Sequence, residues 1–334
     1  MKVCIYFEPK EKKNNFEGAR LRKNIKGALE LENIPYAKNF LDTFELAHFL
    51  SIKDETNIND LKANNVPVVF SALNCENDET ARIMENKGGV SLVSPKAIRV
   101  LNKVDYIFVS DNTSKTILQR AGITTPIHIV SPGVNISRFE IVDKTQDEIF
   151  FQYYQLEKTS KFVVSIGSYE DKETIKKMIE IALLCPKYKF FYFGRGASEH
   201  HVYRKSKKMP ANLRLATIMN DEVYCSMMKN AGIFLNLENS RHSPITLLDA
   251  AASKTQIIAL KPFGYNEEIL KDMRACMCEN IDEVSKFING IFEGKIPSSV
   301  KESYAYAKKN SLANLGKTLR NEYEQIIREA KKND

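Results

Sequence analysis

Apolar residues follow one another along the chain in two alternating modes. Short runs rich in β-branched and aromatic residues alternate with longer stretches where apolar residues recur at helical spacing. Val3-Cys4-Ile5-Tyr6-Phe7 is the first run, and its lack of a polar face predicts a strand buried on both sides. Between Glu17 and Glu32, the positions of Leu21, Ile25, Ala28 and Leu29 predict an amphipathic helix. Val66 to Phe70, Tyr106 to Val109 and His128 to Val130 read as further strands. Helices are expected around Asp78 to Lys87, Ser94 to Leu101 and Thr113 to Arg120. The rhythm pauses at Ser131-Pro132-Gly133-Val134-Asn135 and restarts with Phe162 to Gly167. Lys189 to Gly194, Leu213 to Ala216, Ile233 to Leu237 and Gln256 to Leu260 continue the second series of strands. Lys172 to Cys185 and the charged stretch Lys301 to Lys331 read as helices. Strands alternating with helices of this length imply parallel sheets. The fold class is therefore α/β, with two doubly wound domains. Ligands of such sheets sit outside the carboxyl ends of the strands, so the expected site is a central cleft between the domains.

Composition narrows the class. The 334 residues are 43% apolar and 27% charged, with 14 Gly and 11 Pro, which excludes collagen-like, disordered and disulfide-framework chains. The charge of +7 is compatible with nucleic acid, an anionic membrane, a phosphorylated ligand, or solubility alone. Its position says more. Lys10, Lys12, Lys13, Arg20, Arg22, Lys23 and Lys26 lead into a helix with an apolar stripe on its other side. That profile fits a helix resting on anionic lipid, at about 1 kcal/mol per well-placed cation, or a helix docked on the sheet with a wet cationic face. Aromatic residues are not interleaved with these cations, so no nucleic-acid partner is expected. No stretch approaches a membrane span, and the apolar run at Val3 to Phe7 is too short for a signal peptide. Of the six cysteines only Cys276 and Cys278 are close, and their spacing does not suit zinc. A cytosolic protein with free thiols and no bound metal is expected.

Several stretches carry a family resemblance. They are Gly18-Ala19-Arg20 with the helix that follows, Asp105 to Ser110 with Thr113-Ser114-Lys115, and the junction Ile129 to Phe139. Phe162 to Tyr169 and Asn310-Ser311-Leu312 through Tyr323 complete the set. Together they resemble the GT-B glycosyltransferases of family 4, among them cytosolic-face enzymes that add a hexose to a monoglycosyl-diacylglycerol. The resemblance implies an acceptor-side domain over 1–140 and a nucleotide-sugar domain over 141–309. It also implies a last helix, about 310–330, that packs back on the first domain.

Family members carry a Glu, seven residues, then a second Glu. Asp249 stands where the second belongs, and the implied role is to hold the nucleotide ribose, since a carboxylate accepts from two hydroxyls. Arg241 replaces the first and reverses its charge, leaving Glu238 as the candidate for a donor-sugar contact. Relatives place a basic pair after the strand ending in Gly167, whereas Lys172 is the one cation between Ser168 and Thr174. They also have a histidine where this chain reads Phe70-Ser71-Ala72-Leu73-Asn74. Read from the residues alone, Ser243-Pro244 is the cap and first turn of a helix, whose N–H groups together with Arg241 can grip a phosphate. Enzymes of this fold stabilise the leaving diphosphate without a metal. Gly167, Lys172, Arg241, Ser243 and Asp249 are thus the donor-side candidates, and Gly18, Arg20 and Ser71 the acceptor-side ones. His242 shares the Arg241 loop; His200-His201 lacks a third ligand; Gly194-Arg195-Gly196 is only a fragment of a phosphate loop.

Two functions remain open. One is retaining transfer of a hexose from a nucleotide sugar, UDP-glucose or UDP-galactose, to a membrane glycolipid hydroxyl, by a cytoplasmic protein peripheral on the inner face of the membrane. The donor is then a substrate, and no cofactor is expected. The other is a catalytically degenerate GT-B protein that serves as partner or binding subunit of a second glycosyltransferase.

Overall fold

A computed structural model describes residues 1–6, 16–52, 55–72, 91–140, 144–169, 171–195, 209–217, 220–237 and 244–332. The chain divides into two compact units. The first is Met1–Val134 with Ser243–Ile245 and Asn310–Asp334; the second is Asn135–His242 with Thr246–Lys309.

The first unit holds a parallel sheet of β1 (Val3–Tyr6), β2 (Tyr36–Ala37), β3 (Leu46–Phe49), β4 (Val68–Ser71), β5 (Tyr106–Val109) and β6 (Ile127–Ile129), in the order β2-β1-β3-β4-β5-β6. Every residue of β3 and β4 is buried, as expected of strands covered on both faces. The helix Phe16–Leu31 turns Leu21, Ile25, Ala28 and Leu29 into the core, the stripe that the sequence pattern predicts. Leu315, Leu319 and Tyr323 of the helix Leu312–Ala330 join them. The two helices approach closely because position 316 has no side chain: a Cβ on Gly316 would lie 2.6 Å from the Ala28 carbonyl oxygen.

Three elements of this unit are absent from the pattern reading: β2, β3 and the helix Glu55–Ala63. β2 is two residues long. β3 carries a histidine in its third position, which reads as polar but is fully buried. The strand expected over Val66 to Phe70 runs instead over Val68–Ser71, one residue beyond Pro67. The helix expected around Asp78 to Lys87 lies outside the described residues.

The second unit has β7 (Phe162–Ser168), β8 (Lys189–Arg195), β9 (Leu213–Thr217), β10 (Ile233–Asn236), β11 (Gln256–Leu260) and β12 (Cys276–Cys278), again parallel, in the order β12-β11-β10-β7-β8-β9. Winding begins at β7, runs outward to β9, returns to β10 and continues to β12, which is the order of dinucleotide-binding sheets. One face packs on an aromatic cluster. Phe150 of the helix Lys144–Tyr154 stacks on Phe162 at 5.1 Å and meets Phe191 edge-on at 5.2 Å. The other face is covered by the helices Lys172–Leu184 and Ile281–Phe292 through Ile175, Met178, Ile181, Val284 and Ile288. Cys276 and Cys278 are strand residues paired with β11, and the described cysteines are free thiols. Among the described residues no helix is long and apolar enough to cross a membrane.

Candidate functional site

In the second unit the winding reverses between β7 and β10, and the carboxyl ends of those strands are where a doubly wound sheet binds its ligand. Gly167 belongs to β7 itself rather than to the loop beyond, paired with Gly194 of β8. Gly194 has a packing role. A Cβ there would meet the Tyr169 ring at 2.5 Å, and the Tyr169 hydroxyl donates to the Ala216 carbonyl at 2.5 Å. Lys172 is the exposed first residue of its helix. Asp171 caps that helix, accepting from the Thr174 N–H at 3.1 Å and its hydroxyl at 2.8 Å. A carboxylate thus already sits at the positive end of this helix dipole.

Asp249 lies on the helix Pro244–Ala252, which begins at the proline predicted for its first turn. The carboxylate is buried and held from two sides. The Tyr224 hydroxyl donates to Oδ2 at 2.9 Å, and Arg138 Nη1 lies 3.5 Å from the same atom. Arg138 is on the short helix Ser137–Glu140, which ends the junction stretch. Its Nε donates to Asp221 Oδ2 at 3.1 Å, its Nη2 pairs with Oδ1, and the guanidinium lies 5.1 Å from the Tyr224 ring centroid. Burial opposes the charge on Arg138, but the Asp249 carboxylate beside it holds the guanidinium pKa above its ordinary value. Arg138, Tyr224 and Asp221 are therefore part of the setting of Asp249, through contacts that no spacing in the sequence announces.

Asn236 ends β10 at the same point of reversal. It is 1% exposed, and neither atom of its side-chain amide has a hydrogen-bond partner. Native structures leave few buried polar groups unpaired, so each one calls for a reason. Glu238, Arg241, His242 and Ser243 follow it directly and lie outside the described residues, as do His200 and His201.

In the first unit, Gly18 and Arg20 fall in the opening turns of the helix Phe16–Leu31, and Ser71 is the last residue of β4. Lys23 is exposed on that helix, while Lys26 lies 5.1 Å from the Tyr36 ring centroid. Lys10, Lys12 and Lys13 are outside the described residues. The segment around Ser71 contains no histidine, yet an imidazole reaches it from the neighbouring strand. His48 Nε2 lies 2.6 Å from Ser71 Oγ, and His48 Nδ1 lies 2.6 Å from the Tyr323 hydroxyl.

No protein-family model matches this chain. It is 21% identical over 336 residues to a processive diacylglycerol alpha-glucosyltransferase from Acholeplasma laidlawii, covering 98% of this chain and 99% of that one. Among solved structures, HepE of Anabaena in complex with UDP and glucose is similar with a TM-score of 0.71 at 13% identity, over 97% of this chain and 100% of the other. A glycosyltransferase from Rickettsia africae follows with a TM-score of 0.68 at 13% identity, over 98% of each chain. The chain thus has the GT-B fold, two parallel α/β sheets flanked by helices, and resembles a diacylglycerol glucosyltransferase over nearly its whole length.

Proposed function

We propose that this protein transfers a hexose from a UDP-sugar to a hydroxyl of a membrane glycolipid, with retention at the anomeric carbon. The acceptor oxygen forms the new bond to that carbon as its bond to the UDP phosphate breaks. The hydroxyl proton is released, and UDP leaves with the added negative charge. The observation that carries the reading is the carboxylate of Asp249, buried on the helix that follows β10 and fixed by Tyr224 and Arg138. A carboxylate so fixed is prepared to accept from the two ribose hydroxyls of a nucleotide. Similarity to a diacylglycerol alpha-glucosyltransferase over 98% of the chain supports the substrate class, and a structural neighbour that binds UDP and glucose supports the donor. Lys172, Arg241 and Ser243 are assigned to the diphosphate, Glu238 to the donor sugar, and Gly18, Arg20 and Ser71 to the acceptor side. In this reading the protein works from the cytoplasm as a peripheral protein of the inner membrane face, with residues 10–26 against anionic lipid.

A second reading has one observation in its favour. Asp171 places a carboxylate at the helix start where the diphosphate charge would lie. A GT-B protein without catalysis, acting as subunit of another glycosyltransferase, fits that arrangement. Calorimetric titration with UDP-glucose and UDP-galactose, repeated with Asp249→Ala, separates the two. Binding that Asp249→Ala abolishes, with turnover of a glycolipid acceptor, is expected. No binding of either sugar nucleotide or of UDP ends the transferase reading, and binding without turnover favours the subunit. Sedimentation with anionic vesicles tests the membrane contact, which should weaken at high salt.

A further inference from the structure

Arg138 stands near the end of the junction stretch Ile129 to Phe139, on the helix Ser137–Glu140. That helix is tied down at both ends. The Ser137 hydroxyl donates to Asn135 Oδ1 at 2.7 Å, the Tyr304 hydroxyl donates to Glu140 Oε1 at 2.7 Å, and Phe139 is 4% exposed. The backbone under Arg138 is therefore fixed, and any movement of the guanidinium is a movement of the side chain alone. A guanidinium has five N–H donors in a planar fork and accepts nothing. Nε–H and one Nη2–H of Arg138 go side by side to Asp221, and one Nη1–H goes to Asp249. The other two make no hydrogen bond among the described residues, and the side chain is 20% exposed.

The contacts that hold this fork are open to exchange. Asp221 is 57% exposed, and an ion pair with so exposed a carboxylate contributes little, because water solvates both partners when they part. The contact with Asp249, at 3.5 Å, is at the long limit of a hydrogen bond. Beneath the fork lies the Tyr224 ring, 5.1 Å from the guanidinium carbon, a platform that does not depend on either carboxylate. In the transferase reading the Asp249 carboxylate accepts from two ribose hydroxyls, which compete with Nη1 for it. The 5′ phosphates hang from the same furanose ring as those hydroxyls, so a nucleotide seated on Asp249 carries its phosphates into the neighbourhood of Arg138. At the helix start assigned to the diphosphate, Lys172 shares its place with the capping carboxylate of Asp171, so a further cation is called for. The planar fork of an arginine suits phosphate oxygens bidentately, and such charge-assisted bonds outweigh a solvated pair with Asp221.

We propose that Arg138 is a donor-binding residue, whose fork passes from Asp221 and Asp249 to the diphosphate of a nucleoside diphosphate when the ribose hydroxyls take Asp249. The proposal rests on the transferase reading above, and its test keeps the two apart. Affinity for UDP, by calorimetry, and for uridine, by ligand-observed NMR, is compared in the wild type and three variants. Asp249→Ala removes the ribose contact and should weaken both ligands alike. Arg138→Met should weaken UDP by about thirtyfold, the size of a charge-assisted hydrogen bond, and leave uridine within about twofold. Circular dichroism establishes whether Arg138→Met is folded, and Asp221→Asn carries the test by itself if it is not. That variant removes the competing charge and should tighten UDP by about threefold with uridine unchanged. If Arg138 serves only to hold Asp249, Arg138→Met weakens UDP and uridine in the same proportion, and Asp221→Asn tightens neither. Either result overturns the proposal alone. A wild type that binds neither UDP nor uridine overturns both readings.

Discussion

Arg138 and the buried Asp249 form an ion pair, with Nη1 3.5 Å from Oδ2, across 111 residues of sequence. The two ends are unequal. Arg138 has a second and more exposed carboxylate partner, Asp221, whereas Asp249 is buried and also accepts from the Tyr224 hydroxyl. Removing the cation takes the charge partner from a buried carboxylate, and Arg138→Met should cost about 3 kcal/mol. Asp221 is 57% exposed, and Asp221→Asn should cost less than about 1 kcal/mol. Urea denaturation of the two variants checks the order. Equal costs would show that Arg138 acts through Asp221 rather than Asp249.

His48 gives the stability a pH signature. Its folded pKa of about 3 lies below the ordinary 6.5, so between those values the unfolded chain binds the proton and the folded chain does not. Stability contributed by the neutral ring is complete above pH 6.5 and falls as pH drops toward 3, at up to about 1.4 kcal/mol per pH unit. Other groups titrate as well, so the measurement is the difference between wild type and His48→Gln. That difference should narrow by about 2 kcal/mol from pH 7 to pH 5. A difference independent of pH would mean that the ring is not held neutral.

Gly133 combines two constraints. Its φ is +72°, and a Cβ would lie 2.7 Å from Leu315 Cδ2. Gly294 has the same φ with nothing within 4 Å. Gly294→Ala should cost about 1 kcal/mol, the left-handed conformation alone, and Gly133→Ala about 2 kcal/mol, with crowding added. Matched unfolding midpoints would rule out the crowding.

Asn236 should be a case of stability given up for a ligand. Its buried amide has no partner, so Asn236→Leu should raise stability by up to about 1 kcal/mol. On the transferase reading the same variant should lose affinity for UDP-glucose in calorimetry. Lower stability would show that the amide is satisfied in solution, and unchanged affinity would remove it from the donor site.

The candidate site was legible in the sequence only where a residue's partners are its chain neighbours. Pro244 opens its helix as a first-turn proline must, and Asp249 follows on the same helix. Lys172 suits the diphosphate as a cation when read from the sequence, but the pattern does not show that Asp171 caps the same helix with a negative charge. The segment around Ser71 was marked by the histidine it lacks. The imidazole comes from β3, 23 residues away, and the tyrosine that orients it comes from the last helix, 275 residues away.

What the sequence determined by itself is the alternation of strand and helix and the apolar stripe at Leu21, Ile25, Ala28 and Leu29. Both follow from local periodicity, since a segment's own backbone geometry decides which of its residues share a face. Tertiary structure alone decided that β3 enters the first sheet beside β4, that Arg138 meets Asp249, and that Tyr323 reaches His48. A buried polar group is tolerated only where distant groups satisfy it, and only the folded chain brings those groups within hydrogen-bonding distance.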